Sequence, residues 1–397
     1  MRGDTGVAVR GDSLDGKRVI LAVSGGIAAT ESIKLARELR RHGAAVIPIM
    51  SKSAEKVISS LALSWGSGAK VITEWDSEMS QLGSFDGLIL APATRNSISK
   101  FAHGIIDSPL MMALSASSGR GVPMMFVPSM HDDLFHDPVT SELLSAVEKL
   151  GVEVLLEESS EGRRKQPNGA NIVARFCNLV NSKLQYRKRV VVTLGGNAAP
   201  IDSVRRMVNT STGKTGWVIA EHLHRMGHDV VCIVGHTTHE PEFSLPDVRF
   251  DESPRGMLDL SIELANSTKV PDFWIHAAAI LDYEPEYIEG KTPSGIDKWS
   301  IELYPTKKHL HALKEHVVGS RRIGFKLEEG VDEETLISKS MSLITENNLD
   351  AVVANLLDEV RGRSSKRCRI VFPDGGVENI SNLSGLCQSI ESLVASE

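Results

Sequence analysis

The stretch Asp202–Gly216 (DSVRRMVNTSTGKTG) brings cationic, amide and hydroxyl side chains together shortly after an apolar run typical of a strand. It contains Arg205, Asn209 and the tripeptide Gly213–Thr215, and it leads into a predicted helix. A strand-to-helix junction exposes backbone N–H groups and the positive end of a helix dipole, and both favour an anionic ligand. The stretch is not a P-loop, because Val208 stands where the G-x-x-x-x-G-K-[ST] pattern requires glycine. The sequence therefore predicts an anion-binding turn of another kind.

A second set of polar residues lies nearer the N terminus, at the ends of four predicted strands. Ser24–Ala28 follows the first strand, Ser51 the second, Ala93–Asn96 the third and Ser129–His131 the fourth. Ligands of open α/β sheets bind at the carboxyl ends of the strands, so these four ends predict one crevice. Within it, His131 is a candidate base or carboxylate ligand, because the unperturbed pKa of histidine is about 6.5.

Alternating strands and helices position the N-terminal set. Strands are predicted at 18–23, Ala45–Met50, Gly87–Ala91, Met124–Val127 and Val152–Leu155. The first is continuously apolar, as a strand buried on both faces must be. The alternation predicts an α/β fold with a doubly wound parallel sheet. The polar segment Glu157–Gly169 predicts a mobile flap, and a helix over Ala170–Val180 closes this domain.

A second α/β unit starts at Arg189. Further strands are predicted at Val230–Val234, Phe273–Ala277, Ile323–Phe325 and Ala351–Ala354, followed by a hairpin over 368–380. A polar excursion over Tyr283–Tyr304 contains one predicted amphipathic strand, Trp299–Leu303. The predicted organisation is an N-terminal tail over 1–16, a first domain over 17–183 and a second over 184–397.

Composition limits the classes of function. The 397 residues allow two or three domains, with 41% hydrophobic and 24% charged residues as in ordinary soluble proteins. The net charge of −7 argues against nucleic acid as a partner. No signal peptide is visible and no run approaches the roughly 18 apolar residues of a membrane span. The four cysteines lack C-x-x-C spacing, so neither disulfides nor a zinc site is expected, and the expected compartment is the cytoplasm.

The C-terminal motifs resemble those of phosphopantothenate–cysteine ligases. Val208–Gly216 is similar to their SNxSSGKMG signature, and His276–Pro285 to their AAAVADYxP element. Glu289–Gly295 matches the family's flexible lysine strand, Pro305–Lys308 its triphosphate element, and Gly324–Lys326 the step that flanks the base. The resemblance implies that Lys291 contacts the transition state, Asn209 holds the acyl intermediate and Arg205 positions the signature turn. The nucleotide-binding residues that it implies are Ala278, Asp282, Lys291, Pro305, Thr306, Lys307, Lys308, Phe325 and Lys339.

The N-terminal motifs resemble those of flavodoxin-like flavoproteins that decarboxylate peptidyl or phosphopantothenoyl cysteine. GGIAA, APATxNxISKxAxGIxD and the PAMN/PAMH element correspond to residues 25–29, 91–107 and 128–131. The resemblance implies FMN, with its phosphate at the first two strand ends and its ring at the third. The residues implied are Ser24, Gly25, Gly26, Ile27, Ala28, Ser51, Ala93, Thr94 and Asn96.

Together the two halves resemble the bifunctional phosphopantothenoylcysteine decarboxylase/phosphopantothenate–cysteine ligase family, in an archaeal-like form. The implied fold is a flavodoxin-like domain followed by a Rossmann-like ligase domain. The implied activity is CTP-dependent ligation of cysteine to 4′-phosphopantothenate through an acyl-cytidylate, with Mg²⁺. FMN-dependent decarboxylation to 4′-phosphopantetheine follows. The resemblance also implies a homo-oligomer with trimeric flavin domains and dimeric ligase domains, acting on small molecules.

Three departures from the family pattern keep alternatives open. Glu78–Leu82 contains no histidine where the family has its base, and residues 157–169 contain no clamp cysteine. The family's later lysine pair is missing from Ser342–Asn348, and Lys339 is the candidate replacement. The alternatives are a ligase whose flavin domain is catalytically degenerate and, from another class, a flavin-dependent reductase or electron-transfer protein.

Overall fold

The computed structural model describes residues 6–75, 83–160, 162–295, 297–362 and 366–396. The chain divides into two compact units, Met1–Lys183 and Leu184–Glu397. None of the described helices combines the length and apolarity needed to cross a membrane.

The first unit alternates strands and helices as its sequence predicts. Its strands are β1 (Arg18–Val23), β2 (Ala45–Met50), β3 (Gly87–Ala93), β4 (Met124–Pro128), β5 (Met130–His131), β6 (Val152–Val154), β7 (Ser159–Ser160) and β8 (Arg163–Arg164). Its helices are α1 (Ser32–Arg41), α2 (Ser60–Ser67), α3 (Arg95–Ala102), α4 (Pro109–Gly119), α5 (Asp132–Phe135), α6 (Pro138–Lys149) and α7 (Gly169–Asn181), with 3₁₀ turns at Ile27–Glu31 and Ala54–Lys56.

Among the described residues, five parallel strands form the main sheet of this unit, in the order β2-β1-β3-β4-β6. This is the flavodoxin-like order, and its switch point lies between β1 and β3. Successive β1 residues enter opposite cores: Val19 and Leu21 pack in one cluster and Ile20 in the other. A strand that is buried on both faces is therefore continuously apolar, and this is why the sequence pattern predicts β1.

The predicted N-terminal tail and the predicted flap of this unit are both attached to the rest of it by hydrogen bonds. Arg10 N–H donates to Arg41 O (2.9 Å), Leu14 is fully buried, and Asn181 Nδ2 donates to Ser13 O (2.7 Å). Residues 10–16, within the predicted tail, thus pack on α1 and α7. Within the predicted flap, β7 pairs with β8, and β8 pairs with β5, so this segment joins the strand that carries His131.

The second unit has a larger mixed sheet. Its strands are β9 (Arg189–Leu194), β10 (Ala198–Pro200), β11 (Arg206–Val208), β12 (Asp229–Val234), β13 (Asp247–Phe250), β14 (Phe273–His276), β15 (Tyr283–Pro285), β16 (Leu303–Pro305), β17 (Arg321–Glu328), β18 (Ala351–Leu356), β19 (Cys368–Val371) and β20 (Val377–Ile380). Its helices are α8 (Lys214–Arg225), α9 (Pro254–Ala265), α10 (His309–Leu313), α11 (Glu333–Asn347), α12 (Leu357–Val360) and α13 (Leu383–Ala395).

The strand order in the described sheet is β13-β12-β9-β14-β17-β18-β19-β20. The first six strands are parallel and follow the 3-2-1-4-5-6 order of a Rossmann fold, with the switch point between β9 and β14. The antiparallel hairpin β19–β20 extends the sheet at one edge, as predicted. The predicted fold class, flavodoxin-like followed by Rossmann-like α/β, is confirmed.

Two short hairpins depart from the predicted elements. The stretch Asp202–Gly216 is not a simple strand-to-helix turn, since β11 within it pairs antiparallel with β10 before α8 begins. The amphipathic strand predicted at Trp299–Leu303 is wrong: the strand is β16, Leu303–Pro305, and it pairs with β15. Strands of three residues carry too little alternation for a sequence pattern to locate them.

Candidate active sites

Ser24 joins the ends of β1 and β3 at the switch point of the first sheet. Its buried hydroxyl donates to Pro92 O (2.7 Å), lies 3.1 Å from Thr94 Oγ1, and accepts from Thr94 N–H (2.9 Å). Each of the three contacts crosses from one strand end to the other. Ser24 therefore holds the predicted phosphate turn against the predicted ring site.

Gly25 and Gly26 follow in the turn, and they differ in what surrounds them. A Cβ on Gly25 would stand 2.1 Å from Ser53 Cβ and 2.7 Å from Ser53 C, so only glycine fits beside the segment that follows β2. A Cβ on Gly26 would meet Thr94 Cγ2 at 3.4 Å and Pro92 Cγ at 3.7 Å, which are ordinary contacts. The bare Gly26 backbone thus faces the end of β3.

The remaining predicted flavin residues surround this turn. Ile27 and Ala28 open the 3₁₀ turn that leads into α1, and the first N–H groups of a helix have no intrahelical acceptor. Ser51 Oγ accepts from Ala54 N–H (3.2 Å), which fixes the loop after β2.

The end of β3 brings the other predicted flavin residues to the same edge. Ala93 pairs with Pro128 of β4 and is buried. Thr94 is the N-cap of α3, since its Oγ1 accepts from Ser97 N–H (3.4 Å), and Asn96 is exposed in the first turn. The topology therefore collects the predicted flavin residues along the carboxyl edge of the sheet.

His131 lies just beyond β4, and its side chain is exposed. Its backbone pairs with Arg163 in β8, so the flap segment fixes its position. Among the described residues, the imidazole has no hydrogen-bond partner, which leaves both ring nitrogens available to a ligand. The segment Glu78–Leu82, where the family has its histidine, lies outside the described residues.

In the second unit, Asn209 connects the signature to β14. Its Nδ2 donates to Ala279 O (3.1 Å), one residue beyond Ala278, and its own N–H donates to Asn197 O (3.1 Å). The amide oxygen Oδ1 of Asn209 is left over for a ligand. The two sequence motifs thus meet, although Asn209 follows the short strand β11 and not a strand of the main sheet.

Glycines bring the signature close to the neighbouring strand ends. Gly213, the N-cap of α8, has φ +75°, and a Cβ there would stand 2.5 Å from Thr237 Cγ2. Gly196 passes so close to Asn209 that a Cβ would stand 2.7 Å from the Asn209 carbonyl oxygen. The N-terminus of α8 therefore opens onto a tight backbone cradle, as an anion site requires.

Arg205 and Lys291 are brought together by their backbone segments. Arg205 Nη1 donates to Asp202 Oδ2 (2.6 Å) and to Thr292 O (3.4 Å), and its guanidinium lies 4.9 Å from the centre of the Trp299 ring. Lys291 precedes Thr292, and its side chain is exposed. The predicted lysine strand thus runs beside the signature.

The predicted triphosphate element lies at the β15–β16 hairpin. Thr306 N–H donates to Asp282 O (3.0 Å), and Lys308 Nζ forms an ion pair with Asp282. Pro305 ends β16, and Lys307 follows it, exposed. The structure therefore groups Asp282 with Thr306 and Lys308 of this element.

Lys339 lies near the predicted base-flanking step. Its Nζ is 2.7 Å from Glu328 Oε2, and Lys326 Nζ is 2.9 Å from Glu328 Oε1. These two cations, Lys339 first, lower the pKa of Glu328. Phe325 is in the same strand, β17, as Lys326 and Glu328.

Two polar residues of this site escaped sequence reasoning. Asn197 is fully buried, with Nδ2 directed at Glu252 O (3.3 Å), while its Oδ1 has no partner among the described residues. Asp202 is also buried, and its carboxylate accepts hydrogen bonds from the N–H groups of Arg205 and Thr292, which lie in two separate segments. Among the described residues, no group of three or more His, Cys, Asp or Glu side chains is arranged to hold a metal ion.

Two family models match the chain. The model described as Flavoprotein matches residues 9–183, and the model described as DNA/pantothenate metabolism flavoprotein C-terminal domain matches residues 185–387. The chain is 35% identical over 358 residues to the coenzyme A biosynthesis bifunctional protein CoaBC of Thermococcus kodakarensis, covering 88% of each chain. It is 31% identical over 350 residues to the protein of that name from Methanocaldococcus jannaschii, covering 87% of this chain and 85% of the relative. Identity to the Bacillus subtilis protein is 28% over 404 residues, covering 96% of each.

Proposed function

Because the chain belongs to the family of bifunctional coenzyme A biosynthesis proteins, we propose that it catalyses two successive steps of that pathway. The second unit is the ligase and the first is the flavoprotein decarboxylase. The observation that carries the proposal is that each unit gathers one set of motif residues at the carboxyl edge of its own sheet. The ligase joins cysteine to 4′-phosphopantothenate with CTP, and the decarboxylase converts the product to 4′-phosphopantetheine.

The first crevice suits FMN. The bare Gly26 backbone and the opening N–H groups at Ile27 and Ala28 would hold the phosphate, with Ser51 beside them. Because Ser24 and Thr94 are in contact, the flavin ring would lie beside the phosphate turn at the end of β3, near Ala93 and Asn96. When bound, FMN would take two electrons from the substrate thiol, which makes loss of CO₂ easy, and would return them afterwards, so that the overall reaction is redox-neutral.

His131 is the candidate base or carboxylate ligand of the decarboxylase. The exposed ring of His131 and the pairing of its backbone with β8 support this role. A neutral imidazole accepts a proton near neutral pH, whereas a protonated one attracts the substrate carboxylate.

The ligase residues divide the work of activation and transfer. Lys291 stabilises the charge that develops on the α-phosphate when the substrate carboxylate attacks it and pyrophosphate leaves. The free Oδ1 of Asn209 holds the acyl-cytidylate while the amine of cysteine attacks. Arg205 fixes the signature turn through its contacts with Asp202 and Thr292.

The nucleotide would extend from the signature to the other motif elements. Lys307 and Lys308 meet the triphosphate beside Asp282, Thr306 and Pro305, and Mg²⁺ binds mainly through phosphate oxygens. The base lies near Ala278 and Phe325. Lys339 is the candidate replacement for the missing lysine pair, which contacts the triphosphate in the family.

The assembly is proposed to be a homo-oligomer, with trimeric flavin domains and dimeric ligase domains. Large apolar side chains are exposed on the β15–β16 segment, among them Tyr283, Tyr287, Leu303 and Tyr304. Such a patch favours contact with a second copy. We also place the reactions in the cytoplasm, since the four cysteines are buried and none forms a disulfide within the described part of the chain.

The ligase step is tested with purified full-length protein, 4′-phosphopantothenate, cysteine and Mg²⁺, comparing CTP with ATP. A single-turnover burst of pyrophosphate that requires 4′-phosphopantothenate is expected, followed by sustained release that also requires cysteine, and both should be faster with CTP at equal concentration. Release that is independent of 4′-phosphopantothenate, or none with either nucleotide, would reject the ligase assignment. Faster turnover with ATP would reject the nucleotide preference alone.

A further inference from the structure

Asp202 is a buried carboxylate that binds two separate segments of the ligase unit. Its Oδ1 accepts from the N–H groups of Val204 (2.9 Å) and Arg205 (2.8 Å), which closes its own turn. Its Oδ2 accepts from Arg205 Nη1 (2.6 Å) and from the N–H of Thr292 (3.2 Å). One side chain therefore shapes the signature turn and reaches a segment 90 residues away.

The Thr292 peptide is held on both sides. Its N–H donates to Asp202, while its C=O accepts from both terminal nitrogens of Arg205, at 3.4 and 3.5 Å. Before it, Gly290 O accepts from Ser203 N–H (3.0 Å), and Ile288 N–H donates to Ile201 O (2.9 Å). Lys291 therefore lies between two anchored peptides, while its side chain is exposed.

We propose that Asp202 is the positioning residue of the ligase reaction: it fixes the 288–292 segment beside the signature and so aims Lys291. The inference rests on the proposed function for the role of Lys291, whereas the attachment itself follows from the hydrogen bonds. Asp202 does not touch the substrate in this scheme. It acts through Lys291, because a cation stabilises a transition state only when it is held at the developing charge.

The ionised carboxylate is the form that can make these contacts. Burial raises the pKa of Asp202, but the N–H groups of Val204, Thr292 and Arg205 outweigh burial and hold the pKa below its usual range. Each carboxylate oxygen accepts two hydrogen bonds. Asparagine has the same shape but only one side-chain oxygen. It therefore cannot accept both the turn N–H groups and the donors from Thr292 and Arg205.

The test is a double-mutant cycle in the full-length protein. Asp202→Asn is made alone and in the Lys291→Gln background, and formation of the acyl-cytidylate is measured as a single-turnover burst of pyrophosphate. Asp297→Asn, which changes an exposed carboxylate shortly after the 288–292 segment, is the matched control. If Asp202 acts through Lys291, Asp202→Asn slows the burst about 10-fold or more in the parent, with little change in CTP affinity. In the Lys291→Gln background it slows the burst less than about 2-fold. An equal loss in both backgrounds would overturn the proposal, because a general structural defect is additive.

Limited trypsin cleavage after Lys291 gives a second readout that needs no activity. Asp202→Asn is expected to raise this cleavage rate about 10-fold, while Asp297→Asn leaves it unchanged. Unchanged cleavage in Asp202→Asn would overturn the proposal. If wild-type protein forms no acyl-cytidylate, the proposed function fails, and the cleavage rates still decide whether Asp202 holds the segment. Where Asp202→Asn does not fold, Thr292→Pro replaces it in the burst cycle alone, since it removes the N–H that donates to Asp202 Oδ2. It has no use in the cleavage assay, because trypsin does not cleave a Lys–Pro bond.

Discussion

Substitutions at two adjacent glycines of the first unit are expected to have different effects: one at Gly26 weakens FMN binding, and one at Gly25 lowers stability. Gly26 is extended, with φ −110° and ψ 159°, a conformation that a β-branched residue readily adopts. A Cβ there meets Thr94 and Pro92 at ordinary contact distance, so Gly26→Val leaves the fold intact. Its two γ-carbons, however, enter the crevice between this turn and the end of β3. The backbone of Gly26 can then no longer approach a phosphate closely.

The loss of FMN affinity in Gly26→Val is estimated from the free-energy cost of overpacking. Inserting extra methyl groups into a well-packed site costs about 1–3 kcal/mol. That range corresponds to roughly 5- to 150-fold weaker binding. Gly25→Ala should behave differently, because its Cβ would overlap Ser53 at 2.1 Å and the strain falls on the apoprotein. Gly119→Val, which meets no heavy atom within 4 Å, is the control for adding a β-branched residue.

The assay is FMN titration of apoprotein by flavin fluorescence quenching, with thermal unfolding of the same samples. The expected result is weak FMN binding and an unchanged apoprotein melting temperature for Gly26→Val, and a lowered melting temperature for Gly25→Ala. Wild-type FMN affinity in Gly26→Val would refute the assignment of this turn as the phosphate site. Wild-type stability in Gly25→Ala would refute the packing of Ser53 against it.

Three further predictions concern the two active sites and acid stability. His131→Ala is expected to abolish CO₂ release while leaving adduct formation unchanged; retained CO₂ release would exclude His131 as base or carboxylate ligand. Lys291→Gln should slow acyl-cytidylate formation about 10²-fold, whereas Asn209→Asp should form the intermediate and release it unreacted, as mass spectrometry would show. The pKa of Glu391 is lowered to about 2, and its hydrogen bond with His228 is the largest cause. The ionised Glu391 therefore stabilises the fold fully above pH 4.5, and this contribution is lost as the pH falls toward 2. Glu391→Gln should therefore be less stable than wild type in urea at pH 7, with the difference shrinking toward pH 2; a constant difference would contradict this.

The parallel strands and the motif positions at their ends could be predicted from the sequence. Buried parallel strands such as β1 are continuous apolar runs, and the residues that follow them must share one edge of the sheet. That geometry is why Ser24 and Thr94 meet. The comparisons with relatives confirm the predicted family and fold class.

The contacts between distant loops could not be predicted. Asp202 reads as an ordinary turn residue, and its bond with Thr292 depends on how the 288–292 segment lies in space. The hairpin β10–β11 has strands of three residues, too short for a pattern. Asn197 looks like a loop residue in the sequence, and only the fold shows that it is buried.

The central claim is that one chain carries both activities, and it is tested by one incubation. Full-length protein loaded with FMN is given 4′-phosphopantothenate, carboxyl-labelled cysteine, CTP and Mg²⁺, and the cysteine adduct and labelled CO₂ are followed together. Both are expected, with the adduct appearing first and CO₂ release abolished when CTP is omitted. Adduct without CO₂ would leave a ligase with a degenerate flavin domain. Neither product, from protein that binds FMN, would contradict the account of both sites.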